Sequence, residues 1–141
     1  KVGRVIIQTT SLKQPILYKI VSNDYQGLFE EEIHEREVYH YPPFVRIIRL
    51  TVKNPDKKTV DLAAAHLGHS LKDRIGSSRV LGPEEPLISR LRNKYLMQLV
   101  IKLEKHLQLR AIKNILRDES VKLTKEKAFK KTSVVIDVDP Y

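Results

Sequence analysis

Between Lys105 and Lys131 the chain carries nine Lys/Arg against three acidic residues, and Arg110, Lys113 and Arg117 fall at i, i+3 and i+7. On a helix that spacing sets three cations along one stripe. Such a stripe is a track for the phosphates of a nucleic acid. Lys125, Lys127, Lys130 and Lys131 extend it into an expected basic loop, "KLTKEKAFKK". A second group lies on alternating sequence. "KYLMQLVIKL" sets Lys94, Gln98 and Lys102 in one phase, and "VRIIRLTVKN" sets Arg49, Thr51 and Lys53 in one phase. A sheet face bearing cations and a glutamine amide can hold phosphates or acidic ligands. An ordinary solvated sheet face has the same make-up.

Other chemistries find no residues to carry them. "HEREV" begins like the H-E-x-x-H zinc motif, but Val38 stands where the second histidine would be. His66 and His69 are one helical turn apart and lack a third ligand, so no metal site is expected. No G-x-x-x-x-G-K-[ST] loop is present. Asp137 and Asp139 alternate in "IDVDP" and would share a strand face, which reads as a polar strand end rather than an acid–base pair. No catalytic residue is assigned. Phe129 is the single aromatic within the basic stretch, which leaves no stacking platform for single strands. The paired rings of RNA-recognition sheets are missing as well.

The elements that must position these residues follow from periodicity. "GRVIIQT" (Gly3–Thr9) reads as a short strand, apolar on both faces. "PILYKIVSNDYQGLFEEEIHEREVYHY" reads as helical, with Tyr25, Leu28, Phe29 and Ile33 on one face, Asn23 or Asp24 as a cap, and Pro42 as its stop. Pro42 and Pro43 can lie in neither a helix nor a central strand, so "YPPF" (Tyr41, Pro42, Pro43, Phe44) is a joint. After it, "VRIIRLTVKN" alternates as a strand with Ile48, Leu50 and Val52 inward. Asn54 as N-cap and Pro55 at the first position open a helix carrying Val60, Ala64, Leu67, Leu71 and Ile75, closed by Gly76. "RVLGPEEPLI" is an edge strand broken by Gly82-Pro83, and "KYLMQLVIKL" a long third strand. "LQLRAIKNILRDES" is a second helix, and "SVVIDVDP" the last strand. The order is β-α-β-β-α-β. This is an α+β, ferredoxin-like split βαβ domain: an antiparallel four-stranded sheet with both helices on one face.

The 141 residues suffice for one domain with an appended piece. No apolar run reaches the ~18 residues of a membrane span, and "KVGRVIIQTT" is too short and polar for a signal peptide. The absence of cysteine excludes disulfides and fits a cytoplasmic protein. The net charge of +9 is uneven: residues 1–44 hold five Lys/Arg and six Asp/Glu, residues 45–141 hold 21 and 11. A basic second part favours a polyanionic partner.

The landmarks "GRVIIQT", "YPPF", "LGP" (Leu81–Pro83), "RNKYLMQLVIK" (Arg92–Lys102) and "IDVDP" (Ile136–Pro140), in this order, resemble the C-terminal end of the primosomal protein N′ (PriA) family of replication-restart helicases. The resemblance covers essentially the whole chain. It implies that residues 1–44 are the tail of the second helicase motor lobe plus linker. Residues 45–141 would then be a C-terminal domain for DNA binding and partner docking. It implies further that ATP, magnesium and zinc belong to parts of the parent protein absent from this chain, which would itself be no enzyme and need no cofactor. Expected partners are branched or single-stranded DNA, the acidic C-terminal tail of single-stranded-DNA-binding protein, and other primosome proteins. The family's tail pocket uses an arginine and a glutamine four residues apart. The matching positions here are Lys94 and Gln98, with lysine supplying a point charge instead of the arginine fork. Two other readings stay open: a structural brace of the helicase core, and a stand-alone ferredoxin-like RNA-binding module.

Overall fold

The computed structural model describes residues 3–140, divided into two compact units, Lys1–Tyr39 and His40–Tyr141. The first unit is helical. α1 spans Pro15–Val21 and α2 spans Tyr25–Val38. The single helix expected here is broken because Asp24 turns the chain and caps α2, its carboxylate accepting from Gly27 N–H at 2.9 Å. Lys19 ties the two helices, donating to Gly27 O at 2.9 Å and pairing with Glu31. Tyr25 and Phe29 stack on α2 as the i, i+4 spacing requires. The helix stops at Val38, ahead of Pro42. The expected strand Gly3–Thr9 does not form, and Val5 and Ile6 stand 88% and 82% exposed. An apolar run becomes a strand only when a neighbouring strand takes its N–H and C=O groups, and no ladder reaches these residues.

The second unit has the split βαβ plan. β1 is Val45–Asn54, α3 Lys57–Ile75, β2 Val80–Glu84, β3 Arg90–Leu91, β4 Lys94–Glu104, α4 Leu109–Lys125 and β5 Ser133–Val138. The sheet order is β2-β4-β1-β5, antiparallel throughout, with the two-residue β3 added beside β4. Alternation in β1 buries Ile48, Leu50 and Val52 completely against the helices, together with Leu99, Ile101 and Leu103 of β4. α3 contributes Val60, Ala64, Leu67 and Leu71, and α4 contributes Leu116 and Leu123. These side chains make one core between the helix layer and the sheet.

Several boundaries differ from the sequence reading, each for a local reason. α3 is capped by Asp56, whose carboxylate accepts from Thr59 N–H at 2.8 Å; Asn54 is not the cap. Instead Asn54 is buried, with Oδ1 accepting from Asp56 N–H and Nδ2 donating to Lys130 O and Thr132 Oγ1. α4 runs on to Lys125 through half of the expected loop, because Leu123 continues the buried row of Leu116. β2 ends at Glu84, not Ile88. Gly82 there has φ +90°, and a Cβ would lie 2.8 Å from Gln98 O, so only glycine fits this bulged edge. The β3–β4 hairpin turns on Arg92-Asn93, both at positive φ, the backbone of a two-residue primed turn. Asp139 lies beyond β5 with φ 52° and does not continue the strand face of Asp137.

Candidate nucleic-acid interface

α4 presents the basic stripe. Its inward side carries Leu116, Glu119, Ser120 and Leu123, so the 3.6-residue period leaves Arg110 and Arg117 exposed and Lys113 half-buried beside them. Arg110, Lys113 and Arg117 line one shallow concavity with Leu109 and Asn114. Three cations at this spacing can each meet a phosphate along one backbone.

The helix is held rigidly under that stripe. Glu119 is almost fully buried and accepts from Ser70 Oγ at 2.5 Å, Lys122 Nζ at 2.7 Å and Arg74 Nη1 at 3.1 Å. The Lys122 and Ser70 hydrogen bonds hold its carboxyl below the usual range against the opposing effect of burial. This clamp joins α3 to α4. Lys125 at the end of α4, and Lys127, Lys130 and Lys131 beyond it, are exposed around a short 3₁₀ turn, Lys127–Phe129, which buries Phe129 in the core. His66 of α3 meets Phe129 edge-on and lies 3.5 Å from Glu126. His69 faces Asp73 on the same helix. Among the described residues no group of three or more His, Cys, Asp or Glu is placed to hold a metal ion.

Arg49 and Lys53 are not part of this stripe. They project from the opposite face of the sheet, where a groove of about 680 Å³ is lined by Arg49, Thr51 and Lys53 of β1 and by Leu96, Gln98 and Val100 of β4. The pairing sets Thr51 opposite Gln98 and Lys53 opposite Leu96. Glu84, Glu85 and the apolar segment Pro86–Ile88 form the other wall, with Leu87 fully exposed. Gln98 is therefore in the groove. Lys94 shares its strand phase but sits at the start of β4 opposite Leu91, outside the lining. The structure thus sorts the sequence-derived cations into two surfaces. It adds Glu84, Glu85 and Leu87 to the second, which no spacing within one segment announces.

Near the groove, Arg90 stacks over the Tyr95 ring at 5.0 Å, and Lys102 Nζ lies 4.0 Å above the Tyr41 ring. Burial lowers the Lys102 pKa. Tyr41, Pro42, Pro43 and Phe44 belong to the second unit, where Phe44 N–H donates to Tyr41 O at 3.0 Å to make a turn.

Comparison with known proteins fits this arrangement. The family model for the primosomal protein N C-terminal domain matches residues 37–141. The chain belongs to that family. Curated relatives named replication restart protein PriA include one from Bacillus subtilis, 32% identical over all of this chain and 17% of that protein. Another, from Thermotoga maritima, is 34% identical over 72% of this chain and 13% of its own length. A third, from Synechocystis, is 30% identical over 71% of this chain and 12% of its own length. The chain therefore spans less than a fifth of these three relatives. As a primosomal C-terminal domain, the second unit is the part the family model covers, and both cationic surfaces fall within it. No helix of the described residues is long and apolar enough to cross a membrane.

Proposed function

We propose that this chain is the C-terminal part of a replication-restart DNA helicase. Its second unit grips DNA phosphates without sequence preference through Arg110, Lys113, Arg117 and the Lys125–Lys131 segment. The observation that carries the reading is the three-cation concavity on α4, in a family whose relatives are named for replication restart. A phosphate track needs exposed cations on a rigid element, and the buried Glu119 clamp supplies the rigidity. ATP, magnesium and zinc are assigned to segments of the parent protein outside this chain. The first unit is read as the tail of its motor, and Tyr41–Phe44 as the joint.

The groove on the opposite face is the second element of the proposal. Gln98, with Lys94 further along the strand, helps dock the acidic tail of single-stranded-DNA-binding protein. Arg49 and Lys53 add positive charge, and Leu87 and Leu96 offer apolar contact. A bidentate arginine is missing from this set at position 94, so the tail is held by point charge and amide contacts.

Fluorescence anisotropy with labelled branched, duplex and single-stranded DNA tests the first element. Binding is expected to fall with salt and to differ little between sequences. Changing Arg110, Lys113 and Arg117 to Glu should remove about three phosphate contacts and flatten the log–log salt slope by ~2–3. An unchanged affinity would move the DNA surface elsewhere. Chemical shifts on adding an acidic tail peptide test the second; silence at Lys94 and Gln98 would leave the brace reading in front.

A further inference from the structure

The outer edge of β5 is open among the described residues, since the strand pairs only with β1. Its hydrogen-bond phase is fixed by Asp139, whose N–H donates to Ile47 O at 2.8 Å. Antiparallel pairs alternate in state, so Asp137, Val135 and Ser133 exchange bonds with Arg49, Thr51 and Lys53. The N–H and C=O groups of Val134, Ile136 and Val138 therefore point away from the sheet. Charge is divided along this edge. Lys130 and Lys131 precede the strand, Asp137 and Asp139 stand at its other end, and all four are exposed. Among the described residues none of the four takes part in an ion pair. Val135, midway between Lys131 and Asp139, is 46% exposed on the open face of the sheet. On the helix side a slot of about 210 Å³ separates the edge from α4, lined in part by Val121 and Arg117 of α4 and by Val134 and Ile136.

We propose that this edge pairs with the same edge of a second copy of this chain, antiparallel and centred on Val135, so that one sheet runs through both copies. Such a pairing matches each residue with the one equally far from the centre. Val134 and Ile136 of one copy exchange main-chain bonds with Ile136 and Val134 of the second copy. On the open face Val135 meets its counterpart, the Ser133 hydroxyl donates to the Asp137 carboxylate of the second copy, and Lys131 lies beside its Asp139. Centring on Ile136 would keep the ladder in phase, but it would set Val135 against a carboxylate and leave Lys131 without one. A parallel copy in register would oppose like charges at both ends. Phosphates accept only, and would leave the outward C=O groups unpaired. The two-fold axis is normal to the sheet, so both helix layers stay on one side and α4 comes beside its counterpart along the slot, where Val121 is 42% exposed. The net charge of +9 and Arg117 at the seam oppose this approach. At ~0.15 M salt such repulsion is screened beyond ~8 Å, whereas the ladder bonds and the Val135 contact act at contact distance. The dimer is accordingly a weak one.

Sedimentation equilibrium of the full chain at ~0.15 M salt should show its mass rising toward a dimer at concentrations below ~1 mM. Amide exchange at Val134 and Ile136 should slow about ten-fold from dilute to concentrated protein. Lys131→Glu and Asp139→Lys each place like charges together twice in a dimer of identical chains, and each should weaken association about ten-fold. Mixed in equal amounts, the two variants oppose a carboxylate to an ammonium at both ends of the paired strands. The mixture should therefore recover the affinity of the unchanged chain, which a variant that merely misfolds would not do. Recovery on mixing, with protection of the two amides, supports the proposal. A monomer up to ~1 mM, association that leaves Val134 and Ile136 unprotected, or a mixture no tighter than its components would each overturn it. No nucleic acid enters these measurements, so their outcome leaves the phosphate contacts proposed above to their own test.

Discussion

Asn54 gives a sharp test of how the basic segment after α4 is held. Its side chain is 3% exposed and joins two distant places. Oδ1 accepts from Asp56 N–H at 2.8 Å, which shapes the entry to α3. Nδ2 donates to Thr132 Oγ1 at 2.8 Å and to Lys130 O at 3.1 Å, which fixes the chain between the 3₁₀ turn and β5. Asn54→Ala removes all three bonds; it strands the Thr132 hydroxyl in a buried site and leaves Lys130 O and Asp56 N–H in part-buried ones. At ~1 kcal/mol net per bond, with some of the stranded partners losing more, the cost is about 2–4 kcal/mol. That is a large part of the ~5–15 kcal/mol available to a domain. Urea unfolding followed by far-ultraviolet circular dichroism measures it, and amide exchange at Lys131 and Thr132 locates it. Asn54→Asp is a second probe. It keeps the acceptor toward Asp56 but turns a carboxylate oxygen on Lys130 O, and it should cost at least as much. A loss below ~0.5 kcal/mol with unchanged exchange would refute the reasoning, since water would then replace every partner.

Two further outcomes are expected. Arg79 grips Glu104 through Nε at 2.8 Å and Nη2 at 2.9 Å, and this pairing holds the Glu104 pKa at about 2. A depressed carboxylate stabilises the fold above the ordinary glutamate range and loses that contribution as pH falls toward 2. The side chains are 31% and 42% exposed, so solvent screening reduces the gain to ~1 kcal/mol. Glu104→Gln should flatten the stability profile between those limits, and a profile unchanged in acid titration would count against the pair. Gly82→Ala places a Cβ against Gln98 O at a positive φ and should cost about 2–3 kcal/mol, read as a lower melting temperature; an unaltered melting temperature would mean the bulge relaxes freely.

How far the sequence carried the structure depends on where the information sat. β1 was legible because "VRIIRLTVKN" alternates strictly, and α3 because its apolar residues keep helical spacing over five turns. The stripe of Arg110, Lys113 and Arg117 was legible for the same reason: one helix contains it. The far end of α4 was not, because "VKLTKEK" is polar enough to read as loop and only Leu123 marks the buried row. Asn54 and Asp56 are both good caps, and the choice was made by Lys130 and Thr132, which lie far along the chain. The turn at Arg92-Asn93 carries no glycine to announce it. The groove drew on β1, β4 and the segment after β2, so its membership depended on register rather than spacing. For "GRVIIQT" the apolar pattern was real, but pattern alone supplies no ladder partner.

The order β2-β4-β1-β5 has a kinetic consequence. β1 lies inside the sheet, yet both of its neighbours are made much later, and the bond from Asn54 to Lys130 spans 76 residues. Neither side of β1 can be satisfied by a local hairpin. During synthesis its main-chain N–H and C=O groups must wait for a ladder partner until most of the domain has emerged, although α3, which follows directly, can already cover Ile48, Leu50 and Val52. Contacts of such sequence separation slow folding relative to helical bundles of equal size. The interval in which β1 stays unpaired is when the nascent chain is most open to the wrong strand.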